Sequence, residues 1–163
     1  MIPERIKPFF MSNDRKYKAD VCFATGELAC CNQHGFYIWA DGMIQNTFPN
    51  KMQLTENTDG LAVCAKCSEC GSGVVAFDSE CDGYDHCFSV IKRRERSFRT
   101  PIECTQCGGN IFVVQLQYEY PNGQELIYLD CTEPDNAFTW IWITLTCTKC
   151  GKRFANFVNQ ETG

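Results

Sequence analysis

The amino-acid sequence predicts a mainly β fold, in which small antiparallel sheets form two modules in tandem. Several apolar stretches alternate between two faces with the two-residue period of a β-strand. No segment has the spacing of an amphipathic helix longer than about two turns, so helix is expected to be a minor component. The third observation is a recurrent cysteine turn of the form C-x-x-C-G, followed each time by an apolar segment.

The composition suits a packed protein with one ordinary domain or two small ones. The chain has 163 residues, of which 44% are hydrophobic and 13% aromatic, so wholesale disorder is not expected. Its formal net charge of −5 repels the phosphate backbone of nucleic acids at long range. Binding to nucleic acid is therefore disfavoured.

Thirteen cysteines are the most unusual feature of the composition. Cysteine-rich chains either form disulfides outside the cell or bind metal ions as thiolates in a reducing compartment. The count is odd, C-x-x-C spacing is frequent, and the stretch MIPERIKPFFMSNDRKYK lacks the apolar segment of a signal peptide. No apolar run approaches the roughly 18 residues of a membrane span. We therefore expect an intracellular, cytoplasmic metalloprotein.

Basic segments alternate with acidic ones along the chain. Five of the 15 basic residues lie between Arg5 and Lys18, and five more lie between Lys92 and Arg99. The second group is followed by Thr100-Pro101 and has the composition of a joint between modules. The expected organisation is a basic N-terminal segment (1–20), a Cys/His-rich module (21–91), a basic linker (92–101) and a second module (102–163).

The second module contains the clearest strand patterns. Alternate residues between Phe112 and Tyr120 are apolar, and those between them are mostly polar. The turn residues at 121–123 predict a reversal of the chain, after which ELIYL (125–129) is expected to run back. AFTWIWITLT (137–146) is apolar on both faces, so this strand is predicted to be central or to expose one face to a partner.

The first module has weaker strand patterns. FYIWADGMI (36–44) predicts a hairpin with its turn at Asp41-Gly42. FPNKMQLTENTDG (48–60) predicts a loop, because polar and turn-forming residues dominate it.

The strongest chemical signal is a pair of cysteine turns in the second module. Cys104 and Cys107 belong to CTQCGG, and Cys147 and Cys150 belong to CTKCGK. Each turn directs two sulfur atoms at one point, and the glycine that follows permits the tight backbone. Four thiolates at tetrahedral angles are the ligands that structural Zn²⁺ prefers.

Residues from about 100 to 158 resemble the zinc-ribbon class, in which two such turns clamp the base of a small antiparallel sheet. The resemblance implies a structural zinc ion and says nothing about biological function. The alternatives for these cysteines are a redox dithiol and iron–sulfur ligation. A redox dithiol usually opens a helix, whereas both pairs here lie between strand patterns.

Comparison within the chain extends the pattern to the first module. CSECGSGVVAF, with Cys67 and Cys70, matches the two turns of the second module, whereas the overlapping pair Cys64/Cys67 lacks the glycine. CNQHGFYIW, with Cys31 and His34, is similar with an imidazole in place of one thiolate. We therefore predict a second zinc site, and two Zn²⁺ ions in all. Its four ligands would be Cys31, His34, Cys67 and Cys70.

Other ligand sets stay open in the first module. A local site would combine Cys67 and Cys70 with Cys81 and Cys87, and mixed sites would use Cys22, Cys30 or Cys64. This half could even hold two metal ions. A cysteine that binds no metal is expected to be a small buried residue, and Cys64 is expected to be buried beside the site.

Several catalytic and ion-binding motifs are incomplete or missing. DSECDGYDH (78–86) begins like a calcium loop, but Ser89 stands where the bidentate carboxylate is required. Neither His34 nor His86 belongs to the H-x-E motif of zinc deaminases or the H-E-x-x-H motif of zinc proteases. We therefore expect that the protein is not an enzyme, and a metalloenzyme is the least favoured alternative.

The leading functional expectation is a zinc-stabilised module that binds a basic protein partner, as a regulator or an inhibitor would. Acidic residues close to aromatic anchors suit such a partner. The alternative is a nucleic-acid-binding accessory factor that uses the basic linker at 92–99. The candidate binding residues are Trp140, Trp142, Asp130, Glu133 and Asp135, with Glu119 nearby.

Overall fold

The structure is a computed structural model that describes residues 1–18, 21–47, 51–88, 91–96, 98, 100–121, 124–125 and 131–163. Within these ranges the chain is mainly β and has no helix of seven residues or more. The strands are β1 (Phe10–Lys18), β2 (Val21–Leu28), β3 (Phe36–Asp41), β4 (Met43–Thr47), β5 (Lys51–Thr55), β6 (Ala62–Cys67), β7 (Gly73–Asp78), β8 (Phe112–Tyr120), β9 (Trp140–Cys147) and β10 (Arg153–Glu161). The mainly β fold class is confirmed.

Eight of these strands form one antiparallel sheet. Its order is β1-β2-β8-β3-β6-β7, and β9 pairs with both β8 and β10. Strands β4 and β5 form a separate two-stranded sheet. The large sheet therefore takes strands from both predicted modules, and β1 comes from the predicted basic N-terminal segment. The module boundaries themselves stay a prediction.

One row of paired residues joins the two halves of the chain. Cys67 on β6 lies opposite Phe36 on β3, Phe36 lies opposite Phe112 on β8, and Phe112 lies opposite Cys147 on β9. The arrangement β3-β6-β7 is thus repeated by β8-β9-β10, and the two copies meet at the phenylalanine pair. In each copy the row ends at the first cysteine of a C-x-x-C-G turn, which is Cys67 in one copy and Cys147 in the other.

The core is continuous across this junction. Phe36, Ile38, Phe112, Tyr118 and Phe138 are fully buried members of one hydrophobic cluster. Burying a side chain of this size contributes roughly 1.5–3 kcal/mol. Along β8 buried and half-buried residues alternate from end to end, which confirms the two-residue period predicted there.

The predicted hairpin at Asp41-Gly42 is wrong. Strand β3 pairs with β6, and β4 pairs with β5. The chain leaves the large sheet at Gly42, whose φ of 141° is unfavourable for residues with a side chain. A Cβ atom there would lie 2.8 Å from the carbonyl oxygen of Thr55, so the close approach of β5 also requires glycine.

The predicted loop at 48–60 is wrong over residues 51–55, which form β5. Met52 and Leu54 are buried on one face of this strand, while Lys51 and Gln53 are exposed. Their alternation was present in the sequence but was too short to outweigh the turn-forming residues around it. Residues 48–50 lie outside the described residues, as do the turn residues 122–123 and the predicted return strand from 126 onward.

The predicted basic linker lies against acidic residues of the first module. The guanidinium of Arg96 forms ion pairs of 2.8 Å with Asp78 and with Asp41, and its side chain is 3% exposed. Arg93 donates to Asp82, whose side chain is fully buried. Arg93 and Arg96 therefore hold the 93–96 segment to the sheet. The described part of the chain contains no helix long and apolar enough to cross a membrane.

Candidate metal centres

Three C-x-x-C-G turns have the same backbone geometry. In each turn the glycine amide donates to the carbonyl oxygen of the first cysteine, at 3.0 Å for Cys67, 2.8 Å for Cys104 and 2.9 Å for Cys147. The amide of that cysteine donates in turn to the carbonyl oxygen five residues later, at 2.7–2.9 Å. The glycines have φ between 72° and 76°, in the left-handed region. They are Gly71, Gly108 and Gly151.

The second module brings its four predicted ligands together. The Sγ atoms of Cys104 and Cys150 are 3.7 Å apart, and those of Cys107 and Cys147 are 3.6 Å apart. All four Sγ atoms lie within 4.8 Å of one another. We call Cys104, Cys107, Cys147 and Cys150 the C-terminal tetrad.

The first module also brings four thiols together, but the fourth differs from the prediction. Cys30, Cys31, Cys67 and Cys70 have their Sγ atoms within 4.8 Å of one another, and His34 is not part of this group. The Sγ atom of Cys30 lies 3.7 Å from that of Cys31 and 3.5 Å from that of Cys70. We call these four cysteines the N-terminal tetrad.

A tight turn explains why Cys30 takes the place of His34. Cys30 and Gln33 exchange two backbone hydrogen bonds of 2.9 and 2.8 Å, and the residues between them, Cys31 and Asn32, have φ of 54° and 57°. Positive φ at both central residues is typical of a type I′ turn. The turn therefore begins one residue before Cys31. His34 follows it, with Nδ1 3.4 Å from a carboxylate oxygen of Glu27.

The thiol separations suit one metal ion in each tetrad. A tetrahedron with metal–sulfur bonds of about 2.3 Å has edges of about 3.8 Å. Two Sγ pairs in each tetrad are 3.5–3.7 Å apart and all pairs lie within 4.8 Å, so each tetrad is close to this size. An iron–sulfur cluster spreads its thiolates over several irons and holds them further apart. The donor sets fit a mononuclear ion of a thiophilic metal.

Each tetrad contains one thiol that ionises easily. The hydroxyl of Ser72 lies 3.2 Å from the Sγ of Cys70 and lowers the pKa of this thiol to about 6. Burial opposes ionisation of Cys147, but the backbone amides of Cys150 and Lys149 and the thiols of Cys107 and Cys104 together outweigh it and lower its pKa to about 7. Thiolates rather than thiols bind metal ions, so these two residues are prepared to act as ligands.

The alternative partners Cys81 and Cys87 lie apart from both tetrads. Cys81 is buried, and burial raises the pKa of its thiol to about 12. Cys87 is fully buried and packs with Ala137 and Cys131. Both behave as small core residues in the described structure.

Cys64 and Cys22 are half-buried and belong to neither tetrad. Cys64 lies on β6 opposite Trp39, and Cys22 lies on β2 opposite Tyr120. Cys64 is therefore half-buried where the sequence predicted a buried residue, and its position beside the metal site stays a prediction. Residues three apart on a strand face opposite sides, so Cys64 is directed away from the side of Cys67.

The two tryptophans predicted to bind a partner form a stack on β9. The rings of Trp140 and Trp142 are 5.6 Å apart and nearly parallel, at 14°. Phe23 on β2 extends the stack, with its ring 6.4 Å from that of Trp142. Glu119 on β8 lies opposite both Trp140 and Phe23. We call the half-buried set Phe23, Glu119, Trp140 and Trp142 the aromatic face.

The predicted acidic residues have other neighbours. A carboxylate oxygen of Asp135 lies 2.6 Å from the Nζ atom of Lys7. Glu133 and Asp135 both line a cavity near the N-terminal segment. Asp130 lies outside the described residues. Sequence reasoning gave Cys30 only as an alternative ligand, and it missed Phe23 as part of the aromatic face.

Different signals in the sequence bear on these two residues. Asn32 is a residue that tolerates positive φ, so the type I′ turn has a local signal, although a weak one. Phe23 reaches the tryptophans only because β2 and β9 both pair with β8, and such long-range pairing has no local signal. Comparison of the chain with protein-family models, with curated proteins and with solved structures finds no match.

Proposed function

We propose that the chain is a zinc-stabilised protein-interaction module that binds a basic protein partner through the aromatic face. The observation that carries the proposal is the stack of Phe23, Trp142 and Trp140 beside Glu119 on a sheet held by two cysteine tetrads. Half-exposed aromatic residues of this kind are frequent binding anchors.

Zinc is the metal that the donor sets favour. Four thiolates at tetrahedral separation suit Zn²⁺, which is not redox-active and has no preference for a coordination geometry that competes with the tetrahedral one. A site with four protein ligands has no open position for water or substrate, so we propose a structural rather than a catalytic role for both ions. Metal binding would then supply about 10 kcal/mol or more of folding free energy at each site.

The charge of the protein favours a basic partner. The sequence has a formal charge of −5, and each filled tetrathiolate site would add about two negative charges. Glu119 lies within the aromatic face, and Glu161 follows Trp140 in the same row of the sheet. Complementary charge of this kind accelerates association and excludes acidic partners.

The ion pairs of the linker make the nucleic-acid alternative less favourable. Arg93, Arg94 and Arg96 each have a carboxylate partner, so their charges are partly neutralised within the protein. A nucleic-acid-binding protein would be retained on heparin or DNA at low salt and released steeply as salt rises. We expect no retention at about 50 mM salt.

For the test, zinc-loaded protein is immobilised on a solid support and incubated with an extract of the cells that produce it. The double variant Trp140→Ala/Trp142→Ala is compared with the wild type and with Trp39→Ala, which removes a half-buried tryptophan from a different strand. We expect the wild type and Trp39→Ala to retain the same basic protein and the double variant to lose it.

Zinc content and circular dichroism establish that all three proteins are folded. Equal retention by the double variant, or retention of acidic proteins only, would contradict the proposal. The retained protein is then purified and titrated directly. The expected loss for the double variant is at least about 2 kcal/mol of binding free energy, the size of a typical hot spot.

A further inference from the structure

A cavity of about 440 Å³ lies between three segments that are distant in sequence. Arg5 comes from the N-terminal segment, Arg93 from the linker, and Glu133, Asp135 and Asn136 from the segment before β9. Neither tetrad nor the aromatic face contributes to its walls. Its volume is within the range of small-molecule sites in proteins.

Two arginines in the wall share a single carboxylate. Arg5 and Arg93 each donate through Nη2 to a different oxygen of Asp82, whose side chain is fully buried. One of these oxygens also accepts the backbone amide of Asp78 at 2.8 Å. The carboxylate compensates only one of the two guanidinium charges, so the group keeps about one positive charge in excess.

Two residues of this wall each have a buried polar atom that finds no hydrogen-bond partner among the described residues. These atoms are Nη1 of Arg93, a donor, and Oδ1 of Asn136, an acceptor. The side-chain amide of Asn136 donates to the carbonyl oxygen of Cys81 at 3.2 Å, which leaves only its oxygen unpaired. Buried polar groups almost always have a partner, so a donor and an acceptor left at one cavity indicate a ligand.

We propose that this cavity binds a small oxyanion that carries a hydrogen-bond donor next to its charge. The oxyanion would accept from Arg93 and compensate the excess charge of the arginine pair, and the donor group would bind Oδ1 of Asn136. Hydrogen phosphate and the zwitterion of an amino acid share this chemistry. Acetate has the charge without the donor.

The rim of the cavity limits the ligand to small molecules. Glu4, Glu133 and Asp135 line it, and within the described part of the chain Glu4 and Asp135 both form an ion pair with Lys7. Carboxylates at the rim repel the extended charge of a nucleic acid strand, whereas a single oxyanion can reach the arginines. The rim acids also suit the ammonium group of an amino acid.

The test is a titration of zinc-loaded, ¹⁵N-labelled protein with inorganic phosphate, glycine and acetate in separate experiments. We expect saturable shifts of the Arg93 guanidinium and the Asn136 side-chain amide with phosphate or with glycine. Acetate should bind at least about fivefold more weakly than the better of the two. The probe that saturates at the lower concentration, phosphate or glycine, identifies the source of the oxyanion.

Two neighbouring arginines provide a matched pair of variants. Arg93→Gln should weaken binding of the better probe at least about tenfold, because a charge-assisted hydrogen bond is lost. Arg94→Gln, which removes an exposed partner of Glu80 away from the cavity, should leave the affinity unchanged. Asn136→Ala should reduce the preference for phosphate or glycine over acetate.

Absence of saturable shifts for phosphate and for glycine in the wild type would overturn the proposal. Equal affinities of Arg93→Gln and the wild type would also overturn it. The wild-type titration does not depend on the variants, so the proposal can be tested even where Arg93→Gln fails to fold.

Discussion

Phe36 and Phe112 lie directly opposite each other, and this pair joins two copies of one three-stranded arrangement. Each phenylalanine also lies opposite a metal-ligand candidate, Cys67 for Phe36 and Cys147 for Phe112. Both rings are fully buried. The two tetrads are therefore connected through two core residues, and a substitution in this pair is expected to affect both tetrads.

Truncation of Phe36 tests the importance of this junction. Phe36→Ala is expected to reduce the free energy of unfolding by about 3–5 kcal/mol, because it removes a fully buried ring and leaves a cavity. The measurement is denaturant unfolding of zinc-loaded protein. Phe88→Ala is the control, since Phe88 is exposed and its loss should cost less than about 1 kcal/mol. Similar losses for both variants would show that the junction contributes little.

The identity of the fourth N-terminal ligand can be read from zinc content. Cys30→Ser is expected to lower the zinc content from about two ions per chain to about one, because the site loses a thiolate. His34→Ala should keep both ions, since His34 lies outside the tetrad. Elemental analysis of protein purified under reducing conditions gives both numbers. A loss of zinc in His34→Ala and not in Cys30→Ser would restore the ligand set predicted from sequence.

Zinc retention is expected to depend on pH. Protons compete with the metal for thiolates, so affinity falls as the pH is lowered. The readout is zinc release to a coloured chelator between about pH 8 and pH 5, followed together with the loss of circular dichroism. Unfolding that accompanies release would confirm a structural role. Release without any loss of structure would contradict it.

The buried ion pair between Arg96 and Asp78 gives a second pH-dependent prediction. Arg96→Gln is expected to cost about 3–5 kcal/mol, because it leaves a buried carboxylate without its partner. Arg94→Gln, whose ion pair with Glu80 is exposed, should cost at most about 1 kcal/mol. Denaturant unfolding at neutral pH compares the two variants.

The difference between wild type and Arg96→Gln should shrink in acid. Burial opposes ionisation of Asp78, but Arg96, the backbone amide of Glu80 and Arg93 together outweigh it and hold the pKa of this carboxyl below its ordinary value. Stabilisation from a lowered pKa is present above the unfolded value, near 3.9, and is lost as the pH falls through the folded value. A difference that stays constant down to about pH 3 would show that Arg96 acts through packing alone.

The strands and the three C-x-x-C-G turns were predictable because their signals are local. Alternation along 112–120 follows from the pleat of a single strand, and the glycine after each turn follows from the backbone of five residues. The four thiols of the C-terminal tetrad could therefore be named from spacing alone. The type I′ turn at Cys30 has a weaker local signal. The similarity of CNQHG to the other turns favoured His34 over Cys30 as the predicted ligand.

The sequence by itself determined the β content and the cysteine turns, which depend on residues close together in the chain, and the acidic charge, which depends on composition alone. Only the tertiary structure decided that β2, β3 and β9 all meet β8, that Phe23 joins the tryptophans, and that the linker arginines are paired. These features depend on contacts between residues tens of positions apart. Many alternative strand pairings satisfy the same local patterns. Their free energies differ only through how completely each pairing buries the shared core.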